Sequence, residues 1–333
     1  MNARTTPLVS ICIPTFNGSQ WIEKALRSAL AQSYEPVEIL VVDDHSIDNT
    51  VDVVRSFKDE RVRVITNEIR QGLAGNWNQC VRLARGGLIK FLFQDDAFYP
   101  QCVETMVQVF NKYPQLGLVH ARRELVFESD APTELARELL NEYSELHLKF
   151  ERVGPIGNGR DLFVQHLERR LYQCCVAEPP STLIPKAVFA RLGLFNTRMH
   201  QACDIEMWLR IMFFYDIGFV DEKLLIFRVH GKSATAANRM TGKADYDRYW
   251  LLEGLLNHQE IRSAHPEIST WRDDLLRRYR KSFIRPTSGW RSLDGKNGLR
   301  EAVRDAREIP QRMKFLKEAQ AFQKSHVPLH PRL

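Results

Sequence analysis

The sequence predicts an α/β fold: a mostly parallel, Rossmann-like sheet flanked by helices, followed by a helical, basic C-terminal extension. Three observations carry that expectation. Over the first 120 residues, short β-branched runs alternate with segments of helical period, the pattern of strand and crossover helix. Three of the strand-like runs end in polar clusters, and chemistry in open α/β sheets gathers at the carboxyl ends of strands. Finally, 44% of the 333 residues are hydrophobic, enough to bury a full core.

Val9 to Ile13 reads as the first strand. After Pro14-Thr15-Phe16-Asn17-Gly18, the apolar set Trp21, Ile22, Ala25, Leu26, Ala29 and Leu30 recurs at helical spacing, so a helix runs to about Gln32. Val37 to Val42 is a second strand and ends in Asp43-Asp44. A helix follows Asp48, a good N-cap, with Val51, Val54 and Phe57 on one side. Arg61 to Thr66 is a third strand, and Leu73, Trp77, Cys80, Val81 and Ala84 mark a helix that Gly86-Gly87 stops. Leu88 to Phe93, five of six residues apolar, is a buried strand running into Gln94-Asp95-Asp96.

Beyond Val119 the alternation breaks. Glu128 to Glu145 reads as an acidic, helix-prone insert with outer limits near 122–150. Helical period returns at Ile205, Trp208, Leu209, Met212 and Phe213, with Glu206 and Arg210 expected on the exposed face. A strand at Lys223 to Val229 leads to Gly231-Lys232-Ser233, and from about Thr241 the segments look helical and peripheral. The expected division is a main domain over 1–240 and a helical basic region over 241–333.

Composition narrows the function. No window reaches the 18 or so uncharged apolar residues of a membrane span, and Met1 to Pro7 lacks a signal-peptide core, so a cytoplasmic protein is expected. Six cysteines lie mostly in apolar periodic segments without metal or redox spacing, and read as reduced core residues, with the adjacent Cys174 and Cys175 the one candidate for a reactive thiol. The net charge of +6 is uneven: from Trp271 onward 16 Lys+Arg face 7 Asp+Glu, against 31 and 34 in the preceding 270 residues. A basic tail suits an anionic lipid surface, a nucleic acid or an acidic acceptor, and a set of solvated helical faces explains it equally well; docking on anionic lipid would place the protein peripherally on the inner face of the cell membrane. The tail carries no DNA- or RNA-binding fold signature, so no nucleic-acid partner is expected.

Asp95-Asp96 is the sharpest chemical signal. Adjacent carboxylates at the end of a buried strand repel unless a cation or hydrogen-bond donors offset them, and a divalent metal with diphosphate oxygens is a natural partner. From the pair alone, a solvated turn capping a helix explains as much. Asp43-Asp44 is a second pair in the same setting, suited to accept from a base N–H or ribose hydroxyls. Asp204 alone reads as an N-cap, and an isolated His230 more often as a surface or core residue.

Taken together, the motifs do more. Val9-Ser10-Ile11-Cys12-Ile13-Pro14-Thr15-Phe16-Asn17, then Val41-Val42-Asp43-Asp44-His45-Ser46-Ile47-Asp48-Asn49-Thr50, then Phe91-Leu92-Phe93-Gln94-Asp95-Asp96 resemble the family 2 inverting glycosyltransferases with the GT-A fold. Cys203-Asp204-Ile205-Glu206-Met207-Trp208-Leu209-Arg210 resembles that family's base segment, and Leu225 to Ser233 the element that closes its site. The resemblance implies a catalytic domain over 1–240 that transfers a hexosyl or N-acetylhexosaminyl group from a nucleotide diphosphate to an acceptor hydroxyl. UDP is the expected nucleotide ahead of dTDP and GDP, and a glycan or lipid-linked glycan of bacterial surface polysaccharide synthesis is the expected acceptor.

Residue by residue, the resemblance makes Pro14, Thr15, Asn17 and Asp44 contacts for the nucleotide, with Gly72, Asn76 and Asp95 on the donor side. It gives Asp96, then Asp95, then His230 to a Mn2+ or Mg2+ ion, and it makes Asp204 the general base. An ordinary aspartate titrates near ~4 and is ionised at neutral pH. Gln94 and Cys203 depart from the family pattern, where another acid or small residue and a Glu are common. Two rivals stand beside this reading. A nucleotidyltransferase usually needs a Gly/Lys-rich phosphate loop, and Phe16-Asn17-Gly18-Ser19 offers one glycine and no lysine. A non-catalytic nucleotide-sugar sensor or scaffold would use the basic tail as its interaction surface.

Overall fold

A computed structural model describes residues 6–150, 154–169, 171, 174–241, 246–284, 311, 313–323, 325 and 329–333. Strands β1 (Val9–Thr15), β2 (Val37–Asp43), β3 (Val62–Thr66) and β4 (Leu88–Phe91) lie in the order β3-β2-β1-β4, all parallel. Helices α1 (Ile22–Leu30), α2 (Thr50–Ser56) and α3 (Leu73–Leu83) make the crossovers. Every residue of β1 is buried, because helices cover both faces. The strand's period of two sends Val9, Ile11 and Ile13 to one core and Cys12 to the other.

The second half of the sheet is mixed. It adds β5 (Ala97–Phe98), β6 (Leu118–Phe127), β7 (Ile156–Gly157), β8 (Thr182–Pro185) and β9 (Ile217–Val229). The order continues β4-β8-β6-β9-β5, with β7 also on β9; β6 and β9 are parallel, and β8 runs antiparallel to both its neighbours. Helix α4 (Cys102–Lys112) packs in the core with α1, while α6 (Gly159–Glu168), α7 (Lys186–Leu192) and α8 (Cys203–Phe214) cover the other face with α3. Around the end of β6 and β9, α5 (Thr133–Glu138) and α9 (Ala234–Thr241) build a small third core from Leu135, Val229 and Ala236.

The α/β class and the early elements follow the sequence expectation closely, and the differences have physical reasons. Strand β4 stops at Phe91, two residues early, where Leu92 and Phe93 begin the turn that carries the acids. Helix α2 starts at Thr50; Asp48 accepts the Thr50 N–H at 3.1 Å from outside the helix instead of capping it. Strand β6 occupies residues assigned to the acidic insert, because its ten residues pair with β9 along their whole length and helix begins only at Thr133. All six cysteines are free and buried. Cys174 is no reactive thiol, since burial pushes its pKa well up.

Helix α8 holds the largest correction. Glu206 and Arg210 are both fully buried, not solvent-facing. Arg210 donates to the carbonyls of Leu192 (2.7 Å) and Leu194 (2.9 Å) and, through Nη2, to Glu206 (2.9 Å). His330 Nε2 lies 3.0 Å from the other carboxylate oxygen of Glu206. Burial alone would raise the Glu206 pKa, but Arg210 and His330 outweigh it and hold it down at about 2. This contribution to stability is present above the ordinary value of 4.5 and lost as pH falls toward 2.

Helix α10 (Asp247–Leu256) packs on α8 and is buried along its length, α11 (Gln259–Ala264) follows, and α12 (Glu267–Ile284) packs on α10. The core therefore continues past residue 240. Of the basic stretch beyond Trp271, residues 285–310 lie outside the described residues.

Gly254, in the last turn of α10, faces the Glu206 carboxylate so closely that an added Cβ would sit 2.5 Å from Oε1. Helix propensity alone favours Ala over Gly by about 1 kcal/mol. Because Glu206 is anchored by Arg210 and His330, Gly254→Ala is instead expected to destabilise by about 1 to 3 kcal/mol in urea denaturation.

Candidate active site

The parallel register pairs Thr15 with Asp43 and Asp43 with Thr66, so the carboxyl ends of β1, β2 and β3 form one edge. There a cavity of about 660 Å³ opens, within the range of small-molecule sites. Its floor is the edge of the first sheet half. Its far walls are the start of α8, the end of β9, and helices α5 and α9.

Of the residues expected to hold a nucleotide, Pro14, Thr15, Asp44, Gly72, Asn76 and Asp95 line the cavity. Asp44 is buried; Oδ1 accepts from Gln71 N (2.7 Å) and Asn67 Nδ2 (3.0 Å), and Oδ2 from Gly72 N (2.9 Å). It therefore shapes the 67–72 loop and leaves part of Oδ2's capacity toward the cavity. Gly72 has φ +75°, a left-handed conformation that favours glycine. Asn76 spends its side chain internally, donating to Val42 O at 2.9 Å and accepting from Asn67. Asn17 is not among the cavity residues: it is exposed, and its Oδ1 accepts Ile47 N–H (3.0 Å), pinning the turn after β2.

The acidic pair splits. Asp95 lines the cavity, and its Oδ2 lies 2.9 Å from His230 Nε2. The His230 ring stacks on Trp21 with centroids 5.1 Å apart, and its Nδ1 accepts Lys232 N–H, which leaves Nε2 as the donor to Asp95. Asp96 turns inward: it is 2% exposed, Oδ1 accepts Arg228 N–H (2.9 Å), and Oδ2 has no partner. Burial, then the neighbouring Asp95 charge, push its pKa well above the usual carboxylate range. Asp95 on the cavity wall, the unpartnered Oδ2 of Asp96 and the His230 imidazole behind Asp95 are the donor types that suit a divalent ion such as Mn2+ or Mg2+.

Asp204 is the second residue of α8, inside the first turn instead of capping it, half-buried and lining the cavity. Its Oδ1 accepts Ile205 N–H at 2.8 Å. Burial raises its pKa to about 7; the Ile205 N–H opposes this, and the charges of Glu178 and Asp247 add to it. The group is poised near neutrality, in contrast to the fully ionised aspartate expected from sequence.

Several cavity residues escaped sequence reasoning. Arg228 donates through Nε to Asp95 O (3.0 Å) and pairs with Glu128; Lys232 lines the same wall. Arg70 lies 3.8 Å over the Phe16 ring. Gln94, noted only as a departure from a pattern, accepts from Thr15 Oγ1 (2.6 Å) and Phe16 N (2.9 Å) and so ties the β1 loop to the β4 turn. Glu178, paired with buried Arg123 at 2.8 Å, adds a further carboxylate to the cavity. The basic residues had a signal in the Arg228 to Lys232 run, but the Arg70–Phe16 contact joins two loops that no local pattern connects.

Residues 10–160 match the model of the family described as Glycosyl transferase family 2. An uncharacterized protein of Mycobacterium tuberculosis is 31% identical over 262 residues, covering 78% of this chain and 80% of its own. An Escherichia coli protein, UDP-Glc:alpha-D-GlcNAc-diphosphoundecaprenol beta-1,3-glucosyltransferase WfgD, is 38% identical over 105 residues, 32% of this chain and 42% of its own. Among solved structures, S. aureus TarS 1-349 in complex with UDP-GlcNAc gives a TM-score of 0.57 at 15% identity over 88% of this chain and 78% of that one. The mannosyltransferase PcManGT from Pyrobaculum calidifontis, in complex with GDP-Man and Mn2+, gives 0.54 at 16% identity over 94% and 84%. The α/β architecture with its mostly parallel sheet is the GT-A fold.

Removing the Asp44 carboxylate strands three donors around a buried site. Asp44→Ala is expected to cost about 2 to 4 kcal/mol in urea denaturation, with Asp44→Asn intermediate because it keeps one acceptor oxygen.

Proposed function

The chain belongs to glycosyl transferase family 2, and we propose that it transfers a sugar from a nucleoside diphosphate, UDP first among the candidates, to an acceptor hydroxyl with inversion. The observation that carries this reading is that Asp204 and Asp95 line one cavity, with buried His230 held against Asp95 from behind. A base on one side and diphosphate-binding groups on the other are what an in-line displacement at a sugar carbon needs.

The donor's base and ribose would lie along Pro14, Thr15, Asp44 and Gly72. Arg228 and Lys232 would meet the diphosphate with positive charge. Asp95 would hold a divalent cation, Mn2+ or Mg2+, through a carboxylate oxygen, with His230 joining through Nε2 in the tautomer that moves its proton to Nδ1 and releases the Lys232 N–H, and the ion when bound would supply electrostatic stabilisation to the leaving diphosphate. We place Asp96 second to Asp95 for this ion, because one of its two oxygens is already held by the Arg228 N–H. Asp204 takes the acceptor hydroxyl's proton as that oxygen bonds to the anomeric carbon and the bond to the phosphate oxygen breaks. A carboxylate raised to about 7 by its surroundings is a stronger base than an ordinary aspartate and still available at neutral pH.

The named E. coli relative, whose name gives a diphosphoundecaprenol-linked sugar as acceptor, supports a lipid-linked glycan as the acceptor class. No helix among the described residues is long and apolar enough to cross a membrane. A cytoplasmic position with the basic stretch beyond Trp271 resting on anionic lipid fits that acceptor, and sedimentation with anionic but not neutral vesicles tests it.

Release of nucleoside diphosphate from a panel of UDP-, dTDP- and GDP-sugars, with acceptor lipid and with Mn2+, Mg2+ or chelator, tests the central reading. One donor is expected to turn over only with metal, and Asp204→Asn to lose at least about 1,000-fold in kcat. Turnover by Asp204→Asn near the wild-type rate would refute the base assignment. Because Asp204 must be ionised to act, kcat is expected to fall about tenfold per pH unit below about 7 and to level off above it. A flat profile between pH 5 and 7 would contradict this.

A further inference from the structure

The turn that presents Asp204 is gripped from behind. Residues 200–202 lead into α8, and their backbone N–H groups all point at one carboxylate, that of Asp247 in the first turn of α10. His200 N lies 3.0 Å from both Asp247 oxygens, Gln201 N 2.6 Å from Oδ2, and Ala202 N 2.9 Å from Oδ2. Asp247 is 3% exposed, so these bonds are shielded from water. Three successive N–H groups aimed at one anion form a nest, and a buried charged acceptor makes each bond stronger than a neutral one.

The same turn also faces the cavity, where Gln201 and Ala202 contribute to its lining. Gln201 Nε2 donates to Thr235 Oγ1 (2.9 Å), and Asn238 Nδ2 donates to His200 O (2.8 Å) and Gln201 Oε1 (2.7 Å). The turn thus links α10 behind it, the base at its end, and α9 in front.

We propose that Asp247 is a positioning residue for the transfer: by gathering the N–H groups of His200, Gln201 and Ala202, it fixes the turn from which Asp204 reaches the acceptor. The inference rests on the assignment of Asp204 as base. It gives the helical region after residue 240 a direct part in the chemistry, since the anchoring carboxylate comes from that region. Asp247 touches no reacting atom in this account; it acts through Asp204, by placing it and by the charge that helps to raise its pKa. A misplacement of about 1 Å in such a group costs on the order of 100-fold in rate.

The test uses non-additivity. In Asp247→Asn the amide keeps the shape and one acceptor oxygen, but either orientation of the amide turns an NH2 group toward at least one of the three N–H donors. Asp247→Asn is expected to lower kcat about 10- to 100-fold while the Kd for the nucleoside diphosphate stays within about twofold. In an Asp204→Asn background the same change is expected to cost less than about twofold, because no base remains to be placed. Asp247→Ala, which removes every acceptor, should follow the same pattern with a larger first loss, and nucleotide binding together with a thermal melt shows that each variant is folded.

Three results overturn the proposal, and they are distinguishable. Unchanged kcat in Asp247→Asn with an inactive Asp204→Asn removes the positioning role alone. Equal losses from Asp247→Asn in both backgrounds would mark a general structural effect. Activity retained by Asp204→Asn itself would remove the base assignment, and the positioning role with it.

Discussion

The cavity depends on one hydrogen bond: the Arg228 N–H to the buried carboxyl of Asp96. It continues the β5–β9 pairing, in which Ala97 lies opposite Ile226, and so carries the turn after β4 to the end of β9. Asp95, next to it in the chain, lines the cavity. His230, two residues beyond Arg228, then comes opposite Asp95, and the Arg228 guanidinium returns to Asp95 O. The position of Lys232 and the start of α9 follow from the same register. A buried carboxyl with one oxygen unpartnered is costly, and its persistence makes sense where it fixes a site.

Charge is distributed around the cavity with the same economy. Asp44, Asp95, Glu138, Glu178 and Asp204 supply the negative side, and Arg70, Arg228 and Lys232 the positive. Glu178 raises the pKa of both Asp96 and Asp204, while its own charge is balanced by Arg123. Behind α8 the Glu206–Arg210–His330 cluster is self-contained and holds its carboxylate far below neutrality. Two acids two residues apart on one helix are therefore moved in opposite directions from their ordinary values, Asp204 up and Glu206 down, by what surrounds each.

Much of the fold was legible because local pattern and global architecture agree in its first half. The β-branched runs of Val9–Ile13 and Val37–Val42, and the helical spacing of Trp21 to Leu30, each occur where the parallel sheet needs them. Legibility fell where pairing is long-range. β6 was hidden inside an apparent insert because Arg122, Arg123 and Glu124 read as surface residues, and only the partner β9 makes them a strand. Glu206 and Arg210 looked solvent-facing because charge at i and i+4 normally marks an exposed helix face; their partner His330 lies 124 residues away. The site showed the same divide. Motif order identified Asp44, Asp95, Asp204 and His230 as a set, whereas the division of labour between Asp95 and Asp96 depends on which way each side chain turns, and sequence does not encode that locally.

The most direct test of the account is a crystal grown with Mn2+ and UDP, examined for anomalous scattering at the manganese edge. The account predicts one strong peak within ligand distance of an Asp95 oxygen and His230 Nε2, with the diphosphate toward Arg228 and Lys232 and the uridine along Asp44 and Gly72. A peak on Asp96 without Asp95, or a nucleotide bound away from the face that Asp204 shares, would contradict it.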